Sequence, residues 1–476
     1  MAHSTTARLR HQIFRLNQGE QADLDFGLGE ILPPEDLALI LTEEGATWKT
    51  IIYTPLLTTW AFLWQMLSPD RSCRAAVKRI AAWLSSQGKK LANDKDDPYI
   101  KARQRLPETV PLRLMKHIGR RCHERAEAAW RWCDRTVKSV DGSMVSMADT
   151  SANQAEYPQS RSQAPGLGFP LARLVVVFCL ATGVVLESAI GPARGKKTGE
   201  NTLFRSLWDS LDPGDVVLAD RCYCSYFDIA MLNGRGIDVV FRLHQQRKCD
   251  FRRGRRLGRE DQIVTWTRPG RPAWMDKATY EQIPETLEVR QLRVRVQTRG
   301  FRTRVVDVVT TLLDAKIYTK AQIASLYRQR WHAELDLRSI KVVLGMDVLR
   351  CKTPEMVRKE IGMTLAAYNV VRALMARAAK EHDRIPRRLS FKGALQSLLG
   401  FAEKLRESSA EKRDWLWEII LGGIANDEVG NRPDRIEPRA RKRRPKPYPL
   451  LTKPRKQARD MLCGKRVRAS GTAIQV

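Results

Sequence analysis

Residues 319–344 read TKAQIASLYRQRWHAELDLRSIKVVL, and this stretch decides how the rest of the chain is interpreted. It contains neither Pro nor Gly, and Thr319 can cap a first turn, so it predicts one long helix. Apolar residues recur at helical spacing on one side, which predicts that this side is buried. They are Leu326, Ala333, Leu337, Ile340 and Leu344.

The neighbouring face of the predicted helix carries polar and aromatic residues in the spacing Y-x2-R-x3-E-x6-K. Intrahelical ion pairs on a solvated face would explain the charges, but they would not explain the aromatic residues in the same row. A carboxylate can bind Mg²⁺, cations and a phenol can bind phosphate oxygens, and an indole can stack on a base. The face therefore predicts a site for a divalent metal and a phosphodiester, built from Tyr327, Arg330, Trp331, Glu334 and Lys341.

One carboxylate is too few for a two-metal phosphoryl-transfer site, so further acids are expected upstream, at the ends of strands. Asp141 follows the β-type run at 136–140, and Asp220 follows a second apolar run at 215–219. Asp149 is the rival for the first position. Its alternative role is that of a turn or cap residue, and we favour Asp141.

The order of these acids along the chain predicts an α/β fold with an RNase H-like catalytic core. One acid lies on a first strand, a hairpin at 171–189 follows, the second acid ends a later strand, and the third lies on a helix. We predict a helical N-terminal region with possible DNA binding (1–130), a core (131–243 and 314–385), an inserted β-rich subdomain (244–313), a helical C-terminal region (386–430) and a basic tail (431–476).

The charge of the chain indicates a polyanionic partner. Lys and Arg number 83 against 53 Asp and Glu, which gives a net charge of +30 and a pI near 10.1. Nucleic acid is the simplest such partner. For the helical N-terminal region, the basic insert and the basic tail, contact with DNA competes with a purely scaffolding or solubilising role.

Nothing in the sequence favours secretion or a membrane. The N-terminus lacks the apolar run of a signal peptide, and the nine Cys are scattered without the pairs typical of structural zinc. The longest apolar run, 174–186, is shorter than the ~20 residues that span a bilayer. We predict a cytoplasmic protein, associated with the nucleoid in a prokaryote, with no membrane partner.

The Tyr327, Arg330, Glu334 and Lys341 spacing resembles the signature of the DDE transposases of the insertion-sequence-four family. The segments around Asp141 and Asp220 are also similar to that family. The resemblance implies an RNase H-like core with an inserted β subdomain and dependence on Mg²⁺, with Mn²⁺ as a substitute. It further implies action as a homodimer on double-stranded DNA, both element ends and target. No end-recognition motif can be matched at the N-terminus.

The resemblance also implies a role for each matching residue. Asp141, Asp220 and Glu334 match the catalytic, metal-binding triad. The positions predicted to bind DNA are Tyr327, Arg330, Trp331 and Lys341. The implied activity is metal-dependent cleavage at insertion-sequence ends, followed by strand transfer into target DNA. Two alternatives stay open: a nuclease that uses the same site without strand transfer, and an inactive DNA-binding remnant.

Overall fold

In the part of the chain that the structure describes, five α-helices precede the first strand. The computed structural model of the protein describes residues 28–48, 52–86, 88, 91, 95–195, 198–295, 305–430 and 448–463. Among these residues, no helix is both long enough and apolar enough to cross a membrane. The N-terminal helices are α1 (Pro34–Glu43), α2 (Pro55–Leu67), α3 (Cys73–Ser86), α4 (Asp97–Arg105) and α5 (Thr109–Glu124).

A nine-stranded sheet lies at the centre of the described part of the chain, in the order β3-β2-β1-β4-β5-β9-β8-β7-β6. The first three strands are antiparallel neighbours, whereas β4 runs parallel to β1 and β5 runs parallel to β4. The strands are β1 (Val137–Ser146), β2 (Leu171–Cys179), β3 (Val185–Pro192), β4 (Val216–Ala219), β5 (Asp238–Arg242), β6 (Arg255–Gly258), β7 (Asp261–Thr267), β8 (Thr286–Arg295) and β9 (Val305–Thr310).

The strands predicted as an insert between 244 and 313 continue this central sheet. β9 pairs with β5, with Thr310 opposite Val240, and β8, β7 and β6 follow as antiparallel neighbours. The β-rich segment thus lengthens the core sheet and does not form a sheet of its own. Its outermost strand exposes Arg255 and Arg256, and charges on an edge strand oppose pairing with other chains.

Helices cover both faces of the sheet, which is why β2 is almost continuously apolar. On one face, Val176 and Phe178 of β2 pack in a core with the N-terminal helices. On the other face, Val175 and Val177 pack with the segments that follow β3 and β4. The short helices around the sheet are α6 (Ser151–Glu156), α7 (Glu200–Arg205), α8 (Tyr226–Gly234) and α9 (Lys277–Gln282).

The long helix α12 (Pro354–Glu381) is buried along most of its length and connects the N-terminal helices to the sheet. The side chain of Asn369 accepts a hydrogen bond from the backbone N–H of Val185 at 2.7 Å. It donates to the carbonyl oxygens of Val185 and Met115, both at 2.8 Å. Because this amide is buried and paired on both sides, it fixes α12 against β3 and α5.

The segment 319–344 is not the single long helix that its sequence predicts. It forms α10 (Lys320–Gln329), α11 (Trp331–Arg338) and a π-helical turn (Ser339–Val343). At Arg330 the backbone stays helical, but Arg330 donates to Tyr327 and Ala333 donates to Arg330, so the bonds there are one residue shorter. The predicted cap is confirmed, because Thr319 and Gln322 form a capping box. The predicted apolar stripe is also buried throughout.

Two further helices follow α12, in the region predicted to be helical. They are α13 (Phe391–Glu407) and α14 (Ala410–Asn426), and both pack against α12. Most of the predicted basic tail, at 431–447 and 464–476, lies outside the described residues, as do residues 1–27 of the predicted N-terminal region. Between the two tail segments, α15 (Arg455–Leu462) buries none of its residues.

Candidate active site

Asp141 and Asp220 lie on neighbouring parallel strands at the same level. In the pairing of β1 with β4, Ser139 is opposite Leu218. Two residues further along each chain come Asp141, still within β1, and Asp220, the first residue after β4, whose backbone remains extended. Parallel neighbours keep their register, so the two acids emerge side by side at the point where β4 ends.

The third predicted acid, Glu334 on α11, faces Asp141. The two carboxylates interact electrostatically, as does Arg330 with both Asp141 and Asp220. The pKa of Asp141 is raised to about 6, chiefly by burial. Glu334 also raises it, whereas Gly142 N–H and Arg330 lower it. The fold thus brings together acids that are far apart in the sequence.

Arg330 and Lys341 hold the signature segment to the acids and to β1. The Nη2 atom of Arg330 lies 2.6 Å from Oε1 of Glu334. The Nζ atom of Lys341, in the π-helical turn, donates to Oγ of Ser143 at 3.2 Å and to the carbonyl oxygen of Met144 at 2.8 Å. Lys341 therefore lies along β1, just past Asp141.

The two aromatic residues of the signature have opposite environments. Tyr327 is buried and interacts with Arg330 and Asp220. Its burial raises the phenol pKa to about 12, so it stays protonated at neutral pH. Trp331 is 49 % exposed, on the same side of α11 as the partly exposed Leu335. The phenol is thus buried within the site, whereas the indole is largely exposed to solvent.

The donor set suits a hard divalent cation, since carboxylate oxygens are the ligands that Mg²⁺ prefers. Within the described ranges, however, no three His, Cys, Asp or Glu side chains are positioned to hold one ion. The ion pair with Arg330 accounts for part of this, because it occupies Oε1 of Glu334. The chemistry of these side chains suits a divalent metal, and the three-carboxylate metal site stays a prediction.

Asp149, the rival for the first acid, is exposed. Its Oδ1 atom accepts a hydrogen bond from Gln154 Nε2 at 2.8 Å, while Thr150 caps the N-terminus of α6. These contacts are those of a turn next to a helix cap. They favour Asp141 as the functional acid of this segment.

Two residues that the sequence did not single out interact electrostatically with the acids. Glu200, the first residue of α7, interacts electrostatically with Asp141. Tyr223, in the turn after Asp220, interacts with Glu200, Asp141 and Asp220. Burial raises the pKa of the Tyr223 phenol. An acid at the start of a helix is common, so its position alone gave no signal for Glu200.

Comparison with known proteins identifies the class. A family model described as a transposase DDE domain matches residues 132–370, just over half of the 476 residues. The chain therefore belongs to the DDE transposase family. The match begins shortly before β1 and ends within α12, so it contains all three predicted acids.

The branch of the family follows from a curated relative. The chain is 26 % identical over 437 residues to transposase InsG of insertion sequence element IS4 from Escherichia coli, covering 90 % of this chain and 94 % of the relative. The predicted membership of the insertion-sequence-four family is confirmed. Among solved structures, the piggyBac transposase synaptic complex with hairpin DNA matches with 10 % identity, a TM-score of 0.43 and 87 % coverage of each chain. A likeness at that level does not establish a shared fold.

Proposed function

We propose that this transposase cuts DNA at the ends of its insertion sequence and joins the freed ends to target DNA, with Asp141, Asp220 and Glu334 as its catalytic acids. The observation that supports this most strongly is the register of β1 with β4, which sets Asp141 beside Asp220. The electrostatic contact of Asp141 with Glu334 adds the third acid.

An RNase H-like core is part of the same proposal. Its support is the sheet itself, in which three antiparallel strands are followed by two strands parallel to β1. The first acid then lies on the first strand and the second at the end of the fourth. This arrangement presents both carboxylates at the point where β4 ends.

Mg²⁺, with Mn²⁺ as a substitute, would be held by the three acids and when bound would supply activation of the attacking oxygen and stabilisation of the leaving oxygen. The protein's own part is to orient the DNA. Lys341 uses two of its three donors on Ser143 and Met144, which leaves one for a phosphate oxygen. Arg330 can exchange its bond to Glu334 for a phosphate contact.

The aromatic residues would act on the DNA in different ways. Tyr327 remains a protonated phenol and donates to a phosphate oxygen near Asp220. Trp331 exposes its ring and can stack on a base displaced from the duplex end. Both roles place double-stranded DNA along the face of α10 and α11.

The net charge of +30 supports a polyanionic partner, for which DNA is the simplest candidate. We propose that the protein binds element ends and target as a homodimer, in the prokaryotic cytoplasm and in contact with the nucleoid. Exposed arginines on and before β6, Arg252, Arg253, Arg255 and Arg256, would contribute phosphate contacts without reading sequence.

A cleavage and joining assay tests the proposal. The substrate is duplex DNA carrying the inverted repeats that flank the coding region, with Mg²⁺ or with EDTA. Asp141→Asn, Asp220→Asn and Glu334→Gln should each reduce cleavage to background, because each removes a metal-binding charge. Asp149→Asn is the matched control and should cleave like the wild type.

A second substrate, already nicked at the element end, separates the alternatives. A transposase joins the free 3′ end to target DNA, whereas a nuclease cuts the intact substrate but gives no joined product. Absence of both products with every substrate would identify an inactive remnant. Full cleavage by any of the three acid variants would overturn the assignment of that acid.

A further inference from the structure

The strand β1 extends beyond the end of its parallel neighbour β4. Their pairing ends with Ser139 opposite Leu218, and β4 ends one residue later, whereas β1 continues to Ser146. The next contact on that side is made by Ser146, whose N–H donates to the carbonyl oxygen of Asp347 at 3.2 Å. Between these two points, just past Asp141, no described strand lies beside β1 on this side.

The backbone of Met144 points into this gap. The pairing of β1 with β2 is regular throughout, and the carbonyl oxygen of Val137 accepts from Leu180 on the β2 side, whereas Ser146 bonds on the opposite side. Even-numbered residues of β1 therefore direct their backbone groups away from β2. The carbonyl oxygen of Met144 accepts from Nζ of Lys341 at 2.8 Å. Its N–H points to the same side and makes none of the hydrogen bonds that the described residues form outside the strand ladders.

The hydroxyl of Ser143 is a second donor beside the gap. Side chains of a strand alternate between its two faces, so Ser143 lies on the same face as Asp141, two residues or about 7 Å along β1. Its Oγ lies 3.2 Å from Nζ of Lys341. Because an ammonium group can only donate, Oγ accepts in this contact and keeps its own proton for another partner. Among the described residues, none accepts that proton.

We propose that the Ser143 hydroxyl and the Met144 N–H form, with Lys341, a subsite for the DNA phosphate next along the strand from the one that is cut. This rests on the proposed function. The separation of positions 141 and 143, about 7 Å, is similar to that of successive phosphates along one DNA strand. Hydroxyl and backbone N–H groups commonly bind DNA phosphates and read no sequence. The subsite would thus fix which phosphodiester lies at Asp141.

The ordinary alternative is that these contacts only attach the π-helical turn to β1. In that role the hydroxyl of Ser143 merely accepts from Lys341, and its loss would lower stability without affecting any one phosphate more than another. The subsite predicts a loss at a single phosphate, because Lys341 keeps its bond to Met144 when the hydroxyl is removed. Ser143→Thr keeps the hydroxyl and should bind DNA like the wild type.

The test uses duplexes of the element end, each with one phosphate replaced by an uncharged methylphosphonate, bound to the full chain in EDTA and followed by fluorescence anisotropy. On unmodified DNA, Ser143→Ala should bind about tenfold more weakly than the wild type. On the duplex neutralised next to the cleaved phosphate, the two should bind almost alike, because the hydroxyl has lost its charged acceptor. The matched control is Ser146→Ala, whose hydroxyl already donates to the carbonyl oxygen of Asp347 at 3.0 Å, and it should bind every duplex like the wild type.

Cleavage of the unmodified duplex with Mg²⁺ makes the two possible failures distinguishable. If the wild type cleaves and Asp141→Asn does not, but Ser143→Ala binds like the wild type or is weaker by one factor on every duplex, the subsite is refuted and the proposed function stands. If the wild type cleaves no duplex, the proposed function fails, and the subsite fails with it. Thermal unfolding identifies variants that do not fold. In that case Ser143→Cys, a weak donor of similar size, replaces Ser143→Ala, and a uniform loss again refutes the subsite.

Discussion

The helix α11 carries two acids, Glu334 and Asp336, whose environments differ sharply. Asp336 is 1 % exposed and bonded to two guanidinium groups, with Arg387 contributing contacts of 2.9 and 3.0 Å and Arg372 a further ion pair. The side chain of Glu334 is 37 % exposed, bonded to Arg330 and facing another carboxylate. Asp336 is fully paired with positive charge and fixes the helix. Glu334 has a single cationic partner and faces another carboxylate, so its charge is less well compensated.

The saturated side continues into a network that holds α11 in place. Arg372 donates through Nε to the hydroxyl of Tyr368 at 2.8 Å, and that hydroxyl donates to the carbonyl oxygen of Gly183 at 2.9 Å. Burial alone would raise the pKa of Asp336, but Arg387 and Arg372 outweigh it and hold the pKa below its ordinary value. The network thereby joins α11 to α12 and to the β2–β3 turn, which sets where Glu334 points.

The largest effect on stability is expected from Asp336→Ala. It would leave Arg372 and Arg387 buried without their counter-charge, and breaking a buried pair from one side costs about 3–5 kcal/mol. Glu334→Gln should change the free energy of unfolding by less than about 1 kcal/mol, since its ion pair is partly exposed. Urea unfolding in EDTA measures both. Equal losses would mean that the two sides of α11 do not differ as described.

The next largest effect is expected from Asp141, which lies near other acids, and here the substitution should increase the free energy of unfolding. Because the folded pKa of Asp141 is raised to about 6 from an ordinary 3.8, the folded state favours the protonated form. The unfavourable contribution of Asp141 therefore grows as pH rises from about 4 to about 6 and is complete above that. Asp141→Asn should stabilise the ion-free protein at pH 7.5 by up to ~3 kcal/mol.

The pH dependence provides the check on that gain. The difference between Asp141→Asn and the wild type should shrink as pH falls through 6 towards 4, when both carry a neutral group at 141. Urea unfolding in EDTA at a series of pH values measures it. A gain that is independent of pH would point to packing and not to charge. Added Mg²⁺ should stabilise the wild type and leave Asp141→Asn almost unchanged.

A smaller effect is expected from Trp331→Ala on the exposed side of α11. The indole contributes little to the core, so the free energy of unfolding should change by no more than about 0.5 kcal/mol. Binding to DNA with an unpaired end should weaken by about 1–3 kcal/mol through loss of stacking. Trp415→Ala, at an equally exposed indole on α14, is the control. Fluorescence anisotropy would contradict the role if both variants bound alike.

Whether a feature of the fold or of the site could be predicted from the sequence depends on how far apart in the chain the interacting residues are. The buried stripe with Ala333 and Ile340, the Thr319 cap and the strands before Asp141 and Asp220 depend on neighbours along the chain, and periodicity predicted them. The break between α10 and α11 at Arg330 could not be predicted from the sequence, because the residues around it are good helix formers. The π-helical turn, where Lys341 bonds to β1, is fixed by tertiary contacts.

Two other features were beyond sequence patterns for the same reason. The strands of the predicted insert look alike whether they form a separate sheet or extend the core, and the pairing of β9 with β5 decides between these. The carboxyl of Glu200 packs against Gly142 of β1, and neither residue has a spacing that indicates the other. Close packing between segments that are far apart in the sequence leaves no pattern in the local sequence of either segment.

The smallest effect tests whether the break at Arg330 separates the two helices. Thr319→Ala removes the capping box of α10 and should cost about 1 kcal/mol, with Thr319→Ser restoring most of it. Because the regular hydrogen-bond ladder is interrupted at Arg330 and α11 is held independently through Asp336, Mn²⁺ affinity should stay at the wild-type value. Urea unfolding and Mn²⁺ titration of the same samples measure the two. If Mn²⁺ affinity falls together with stability, α10 and α11 behave as one helix, and Glu334 is set by the cap as well as by the buried arginines.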